Sequence, residues 1–303
     1  MKDINNHKGL NSIWTDSIAR NLNPDSNALV DHLKIVHKEH TGFTEICASS
    51  CRDKNGRNSY EWLAELVPNN ERLRVLDLAC GSGPLLKILY DRNKKLKLTG
   101  VDMSPEELEI AKTRISDDST DLFELKAQDL STIRDDSLDV VLCHWALTLM
   151  DPIAPVLSEV RRVLSVGGKF AALVDGPMND APGYSDVHDL IYSYVQDKLP
   201  SYGEFDLGDP RIRTTNSLKN LASEAFPDAT IKVESNVVSM QGPIAEVTKT
   251  AAGFFYASFM LPPEIHNTML SKLSNLLSIT NQKEELGNQG RFIMPISRIV
   301  INN

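Results

Sequence analysis

The sequence predicts an α/β fold built on a doubly wound, mostly parallel sheet. Between residues 72 and 177, short apolar runs alternate with stretches of helical periodicity. The runs are almost continuously apolar, as strands buried on both faces must be. The turns joining them are only a few residues long, so successive strands need helical crossovers, which are right-handed.

Each element has its own signal. Residues 27–37 place Leu29, Val30, Leu33 and Val36 on one helical face. Residues 41–58 read as a loop with one short helix, and a further helix is expected from Ser59 to about Val67, capped by Asn58 or Ser59. The first strand is RVLDL, residues 74–78, ending in a glycine-containing turn before a helix over 84–92. A second strand is expected over 96–101. The next helix starts at Ser104-Pro105-Glu106-Glu107, where a capping serine, a proline in the first turn and an acid at the capping-box position agree. Strands three, four and five are expected over 123–127, 138–143 and 169–174. The helix from Asp151-Pro152 keeps Ile153, Val156, Leu157, Val160, Val163 and Leu164 at 3-4 spacing, and Gly167-Gly168 stops it. Beyond residue 178, helices are expected over 186–198 and 217–225, and strands over 230–240 and 292–301.

Composition narrows the class. The chain has 303 residues, 41% hydrophobic and 24% charged, the balance of a folded domain. Its 32 Lys and Arg against 41 Asp and Glu leave a net charge of −9, with no dense basic run to attract phosphate backbones or anionic lipid. No apolar run approaches the ~20 residues that cross a bilayer, and the opening MKDINNHKGL lacks the apolar core of a secretory signal. Four cysteines are too few for a disulfide scaffold and fit a reducing compartment. A cytoplasmic protein with no nucleic-acid or membrane partner is expected. Cys47 and Cys51 look like half a metal site, but no nearby pair completes it.

The chemistry concentrates in Val75-Leu76-Asp77-Leu78-Ala79-Cys80-Gly81-Ser82-Gly83. A strand running into a small-residue turn lets a ligand approach the backbone, and the following helix presents its positive end. Asp102, at the end of the second strand, suits the two hydroxyls of a ribose. The turn lacks the G-x-G-x-x-G spacing of a dinucleotide site, and Asp77 would repel a pyrophosphate. A nucleoside carrying an ammonium group fits both acids. S-adenosylmethionine (SAM) is such a ligand.

The stretch VLDLACGSG resembles the first motif of class I SAM-dependent methyltransferases of the small-molecule type. The similarity continues through VDMSPEELEIAK, Ala127-Gln128-Asp129-Leu130, Ser137–Val141 and Leu164–Lys169, covering roughly residues 70–175. It implies a seven-stranded sheet whose last strand, 292–301, is antiparallel. It also implies that Asp77, Ala79, Gly81 and Gly83 form the cofactor turn, and that Asp102 holds the ribose. Met103 would flank the adenine and Asp129 would bind it, with Gln128, Leu130 and Cys143 beside the cofactor. The implied reaction moves a methyl group in line from SAM to a small-molecule acceptor, at O or N, leaving S-adenosylhomocysteine. Protein or RNA methylation, or SAM binding without turnover, are the alternatives.

The place for a general base is just past strand four, Cys143-His144-Trp145, which makes His144 the candidate catalytic residue. His188 and His266 are rivals, and Asp175 is a possible substrate contact. Cys-His-Trp stands where metal-dependent relatives carry an aspartate, so no metal is expected. Residues 1–70 are expected to form a helical lid, and 71–303 the SAM-binding domain, with helical insertions at about 178–225 and 241–290. The Phe254–Phe259 aromatics read as core, packing helix against sheet, or as acceptor lining.

Overall fold

The computed structural model describes residues 11–69, 71–115, 120–205, 207–278 and 288–303. The opening decapeptide, read as lacking a signal segment, and residues 279–287 of the expected 241–290 insertion lie outside these. In chain order come α1 (Ile13–Ala19), α2 (Ser26–Glu39), α3 (Phe43–Ser50), α4 (Ser59–Ala64), β1 (Arg74–Leu78), α5 (Pro84–Arg92), β2 (Lys97–Asp102), α6 (Pro105–Arg114) and β3 (Thr120–Glu124). Next are β4 (Leu138–His144), α7 (Ile153–Val163), β5 (Leu164–Asp175), α8 (Tyr184–Gln196) and α9 (Thr215–Ala225). The chain closes with β6 (Thr230–Pro243), α10 (Ile244–Phe254), α11 (Pro263–Leu277) and β7 (Gln289–Asn302).

The strands form one seven-stranded sheet of order β3-β2-β1-β4-β5-β7-β6. β1 pairs in parallel with both β2 and β4, and β3 and β5 extend the parallel set outward. β7 runs antiparallel to β5, Lys169 opposite Asn302 and Asp175 opposite Ile296. The sheet is therefore as expected, seven strands with the last antiparallel. Asp77 lies one residue before the end of β1, with Gly100 of β2 and Leu142 of β4 as its register neighbours.

The 3-4 spacing of α7 does what it predicts. Ile153, Val156, Leu157, Val160 and Val163 are all buried in the core beside Val141, Phe170 and Ala172. Burial of each such side chain contributes about 1.5–3 kcal/mol.

Three elements differ from the sequence reading. α7 ends at Val163 and β5 begins at Leu164, so Leu164 and Gly167-Gly168 lie in the strand and the glycines do not stop the helix. β3 is Thr120–Glu124 rather than 123–127, because its register against β2, Leu98 opposite Thr120 through Asp102 opposite Glu124, selects the more polar half. On an edge strand, backbone pairing overrides side-chain polarity, while Leu125 and Ala127 lean on the core beyond it. α9 belongs to the sheet's core rather than to a helical insertion: Leu218, Leu221 and Ala222, one turn apart, are buried with Leu157 and Phe170.

The chain divides into two compact units. Lys54–Pro177, Leu207–Asn236 and Pro295–Asn303 form the sheet unit, which takes in α4. Met1–Asp53, Met178–Asp206 and Val237–Met294 form a unit dominated by helices. There α2 packs on α1, α3 and α11 on α10, and α8 on α11. The Trp14 ring stacks on His32 at 4.7 Å and meets Tyr202 edge-on, while Ser12 Oγ lies 2.9 Å from His32 Nδ1. Burial pushes His32 down to about 4. Phe43 packs edge-to-face on Tyr256 and Phe259, so the second half of the expected aromatic cluster fills helix contacts. Cys47 and Cys51 are buried, unbridged thiols 3.9 Å apart.

Candidate functional site

The site is built on the carboxyl ends of β1, β2 and β4 in the sheet unit. β1 leaves the sheet at Ala79 (φ 57°), and the turn is fixed where the Cys80 N–H donates to the Val101 carbonyl (2.9 Å) and the Gly83 N–H to the Cys80 carbonyl (3.0 Å). Gly83 has φ 78°, and a Cβ there would stand 3.0 Å from Ala111 Cβ, so only glycine lets the turn pack on α6. Gly81 also has positive φ (51°), but a Cβ on it would meet only Glu107 Oε2, at 3.9 Å. Space beside Gly81 is thus a cradle that a side chain would fill. α5 starts directly after the turn, with Pro84 in its first turn and no side-chain cap.

The Asp102 carboxylate is held from two sides. Its Oδ2 accepts from the Gly81 N–H (2.8 Å) and its Oδ1 from the Ser104 N–H (2.9 Å). The Ser104 hydroxyl caps α6 by accepting from the Glu107 N–H, while Asp102 takes the N–H that a capping box would give to Glu107. Glu107 is instead buried, its carboxyl facing the β1 turn. Sequence reading gave Glu107 a capping role only; its spacing from Gly81 could not be read without the fold.

Asp77 is only 1% exposed, and neither carboxylate oxygen has a hydrogen-bond partner among the described residues. Burial, reinforced by the charge of Asp102, pushes its carboxyl well above the usual range. Cys80 is raised for the same reasons, with Asp77, Asp102 and Glu107 all acting on its thiol. The end of β1 is therefore a concentration of acidic groups.

The other cofactor candidates fall into two groups. Met103 follows Asp102 and is half-buried, as is Gln128. Asp129 is exposed on the loop after β3, where its carboxylate accepts from the Ser131 N–H (3.1 Å), and this hydrogen bonding holds its carboxyl below the ordinary value. Leu130 faces the other way: its side chain is in the core and its N–H donates to Glu159 Oε2 (2.7 Å). Arg162 grips the same loop by donating to the Leu130 and Ile133 carbonyls while bonding Glu159. This clamp was invisible in the sequence, since its parts lie about thirty residues apart. Cys143 also points into the core, and burial pushes its thiol up to about 12.

His144 ends β4 on the face opposite Cys143. Its ring stacks on Tyr60 at 3.7 Å, and Nε2 lies 2.9 Å from the Ser59 hydroxyl. Both partners come from α4, where Asn58 and Glu61 form a capping box that sets the helix start. Arg298 fixes α4 in place, donating to the Trp62 carbonyl, lying over the Trp62 ring (4.4 Å) and pairing with Glu234. Burial pushes His144 down to about 3, so the ring is neutral at physiological pH. Trp145 follows with a left-handed backbone (φ 56°) and donates its indole N–H to Asp175 Oδ1 (2.8 Å), tying the ends of β4 and β5 together. The rivals lie elsewhere: His188 on α8, stacked on Tyr192, and His266 on α11. Among the described residues, no group of three or more His, Cys, Asp or Glu is placed to hold a metal ion, and no helix is long and apolar enough to cross a membrane.

Comparison with known proteins agrees with this geometry. Residues 76–172 match the family described as "Methyltransferase domain". The chain is 28% identical over 152 residues to a sterol 4-C-methyltransferase of Caenorhabditis elegans, covering 48% of this chain and 45% of that one. It is 29% identical over 136 residues to a ubiquinone/menaquinone biosynthesis C-methyltransferase of Desulfotalea psychrophila, covering 45% and 53%. The chain thus spans about half the length of the curated relatives it matches. In fold it is similar to Haemonchus contortus phosphoethanolamine N-methyltransferase 2 solved with S-adenosyl-L-methionine, at TM-score 0.55 and 15% identity over 92% of this chain and 60% of that one. It is also similar to the YcgJ protein of Bacillus subtilis, at TM-score 0.52 and 15% identity over 81% and 97%. Residues 76–172, which carry the β1 turn, Asp102 and the end of β4, are thus the part of this chain that is similar to a methyltransferase domain.

Proposed function

We propose that this chain is an enzyme that transfers a methyl group from SAM to a small-molecule acceptor. The observation that carries the reading is Asp77: a fully buried carboxyl without a partner, beside a turn whose glycine cradle is open. A positively charged ligand resting on that turn satisfies both features. Asp102, at the carboxyl end of β2, would take the ribose hydroxyls. Met103, Gln128 and Asp129 would border the adenine, and the backbone of Ala79, Gly81 and Gly83 would support the amino-acid part. Bound there, SAM supplies a sulfonium methyl already activated for displacement.

At the end of β4, this reading makes His144 a positioning group. A ring that binds a proton only near pH 3 is a poor general base at neutrality, and its Nε2 is already engaged with Ser59. An acceptor nitrogen or oxygen with a free lone pair would therefore be oriented against Tyr60, His144 and Trp145. The relatives named for sterol and quinone methylation support a small acceptor. Transfer requires that water be excluded, and we read the N-terminal lid and helical insertions expected from the sequence as serving that end. Calorimetry with S-adenosylhomocysteine tests the cofactor, and transfer of radiolabelled methyl to sterol, quinone and amine pools tests the acceptor. Slower hydrogen exchange in residues 11–53, 184–196 and 244–277 on product binding is expected of a cover. Unchanged exchange there would remove that role.

A further inference from the structure

Asp77 has a second property that holding a cofactor does not explain. Its carboxyl is sealed from solvent and lacks hydrogen-bond donors among the described residues. The groups that face it are acidic or neutral. Asp102 approaches from β2, Cys80 from its own turn and Cys143 from β4, and Glu107 on α6 acts on the same turn through Cys80. Among the described residues, no Lys, Arg or His acts on it. A carboxylate stripped of water, unpaired and beside another acid takes up a proton rather than staying charged.

We propose that Asp77 is a neutral carboxylic acid in the cofactor-free protein, and that docking of the cofactor's ammonium drives its proton into solvent. The inference rests on the SAM reading above. The O–H bond of Asp77 breaks, its electron pair stays on the carboxylate, and the proton passes to buffer. The new carboxylate then accepts an N–H from an ammonium that keeps all three of its protons. One proton leaves for each cofactor bound, and no redox change occurs. Burial that is costly for a lone anion becomes an advantage once the cation arrives, because the pair attracts strongly where water is excluded.

The consequence is a pH-dependent affinity with a definite sign. Below the pKa of Asp77 in the free protein, the dissociation constant should fall about tenfold for each unit of rising pH. The gain should end where the ligand's own amino group loses its proton, near pH ~8 for an α-amine. Asp77 would thereby select against nucleosides without an amino-acid tail more strongly as pH rises.

The test is titration calorimetry at pH 6.5 in buffers of different ionisation enthalpy, using S-adenosylhomocysteine and 5′-methylthioadenosine, which lacks the amino acid. The expected result is net proton release with S-adenosylhomocysteine, and none with 5′-methylthioadenosine or with Asp77→Asn. Because the two ligands are compared on the native protein, the test survives if Asp77→Asn fails to fold. Tight binding of S-adenosylhomocysteine with no proton released overturns the inference and leaves the cofactor assignment standing. Equal release by both ligands also overturns it, placing the proton on another group. Failure of both ligands to bind overturns the cofactor assignment and this inference together.

Discussion

The carboxyl ends of β1 and β2 and the carboxyl end of β4 border one sheet, yet they are built on different plans. At β1 and β2, the functional groups are acids and bare backbone. Asp77, Ala79, Gly81, Gly83 and Asp102 come from 26 consecutive residues, and two backbone N–H donors hold Asp102. At β4 the groups are aromatic rings and a neutral imidazole. Tyr60, His144, Trp145 and Asp175 come from three distant parts of the chain, joined by a stack and an indole hydrogen bond. The first region suits a cation and a ribose, a ligand of fixed chemistry. The second suits a ligand recognised by shape. Substitutions should separate the two, affecting cofactor affinity in one and turnover in the other.

The largest effect is expected at Gly81. Its φ of 51° costs a branched L-residue ~1–2 kcal/mol, and the new side chain would fill the cradle beside the turn. Gly81→Val should weaken S-adenosylhomocysteine binding by more than about 100-fold while lowering the melting temperature by only a few degrees. Normal binding would mean that the ligand does not pass over this loop.

Asp102→Ala comes next. It removes a charged acceptor from the Gly81 and Ser104 N–H groups and, on the proposed reading, from two ribose hydroxyls. At ~1.5–3 kcal/mol for hydrogen bonds to a charged group, affinity should fall by tens-fold. A folded variant with unchanged affinity would sink the ribose assignment.

The same contrast explains what could be read from sequence. The β1 turn and Asp102 were legible because their geometry depends on local backbone: a strand, a small-residue turn, a capped helix. The parallel α/β class followed from similarly local alternation, and the seven strands with an antiparallel last one from the resemblance. Leu130 was placed correctly in its loop, but its side chain turns to the core, because Glu159 and Arg162 capture the loop backbone from another helix. α9 carried an ordinary amphipathic pattern, and nothing in that pattern says which apolar surface it will cover. Ser59 and Tyr60 gave only a helix-start signal. The contact of Ser59 with His144 spans 85 residues, and Arg298 holds α4 from a strand more than 200 residues further along the chain. Legibility ended where contacts became long-range.

A smaller effect, on turnover alone, is expected at the β4 end. Tyr60→Leu removes the ring that stacks on His144, so kcat should fall several-fold while S-adenosylhomocysteine affinity stays within about threefold. The pH profile sharpens this. His144 is held down to about 3, against 6.5 when free, so it stays deprotonated from pH 5 upward and its protonation cannot lower kcat near neutrality. At saturating cofactor, kcat should show no acid limb between pH 6 and 7. A limb in that range that disappears in His144→Gln would restore His144 as the general base.

The smallest expected effect is that of metal removal. The β4 end offers poor ligands: the Cys143 thiol lies in the core and is pushed up to about 12, so it supplies no thiolate. His144 Nε2 is engaged with Ser59, and Asp175 accepts the Trp145 indole. A divalent ion would have to displace these bonds and still find further oxygen ligands. Turnover should therefore stay within about twofold after EDTA treatment and dialysis. Activity that vanished with EDTA and returned with Mg²⁺ would place a metal among the acceptor's contacts. It would also make the β4 end a site of charge, erasing the contrast with the acidic ends of β1 and β2.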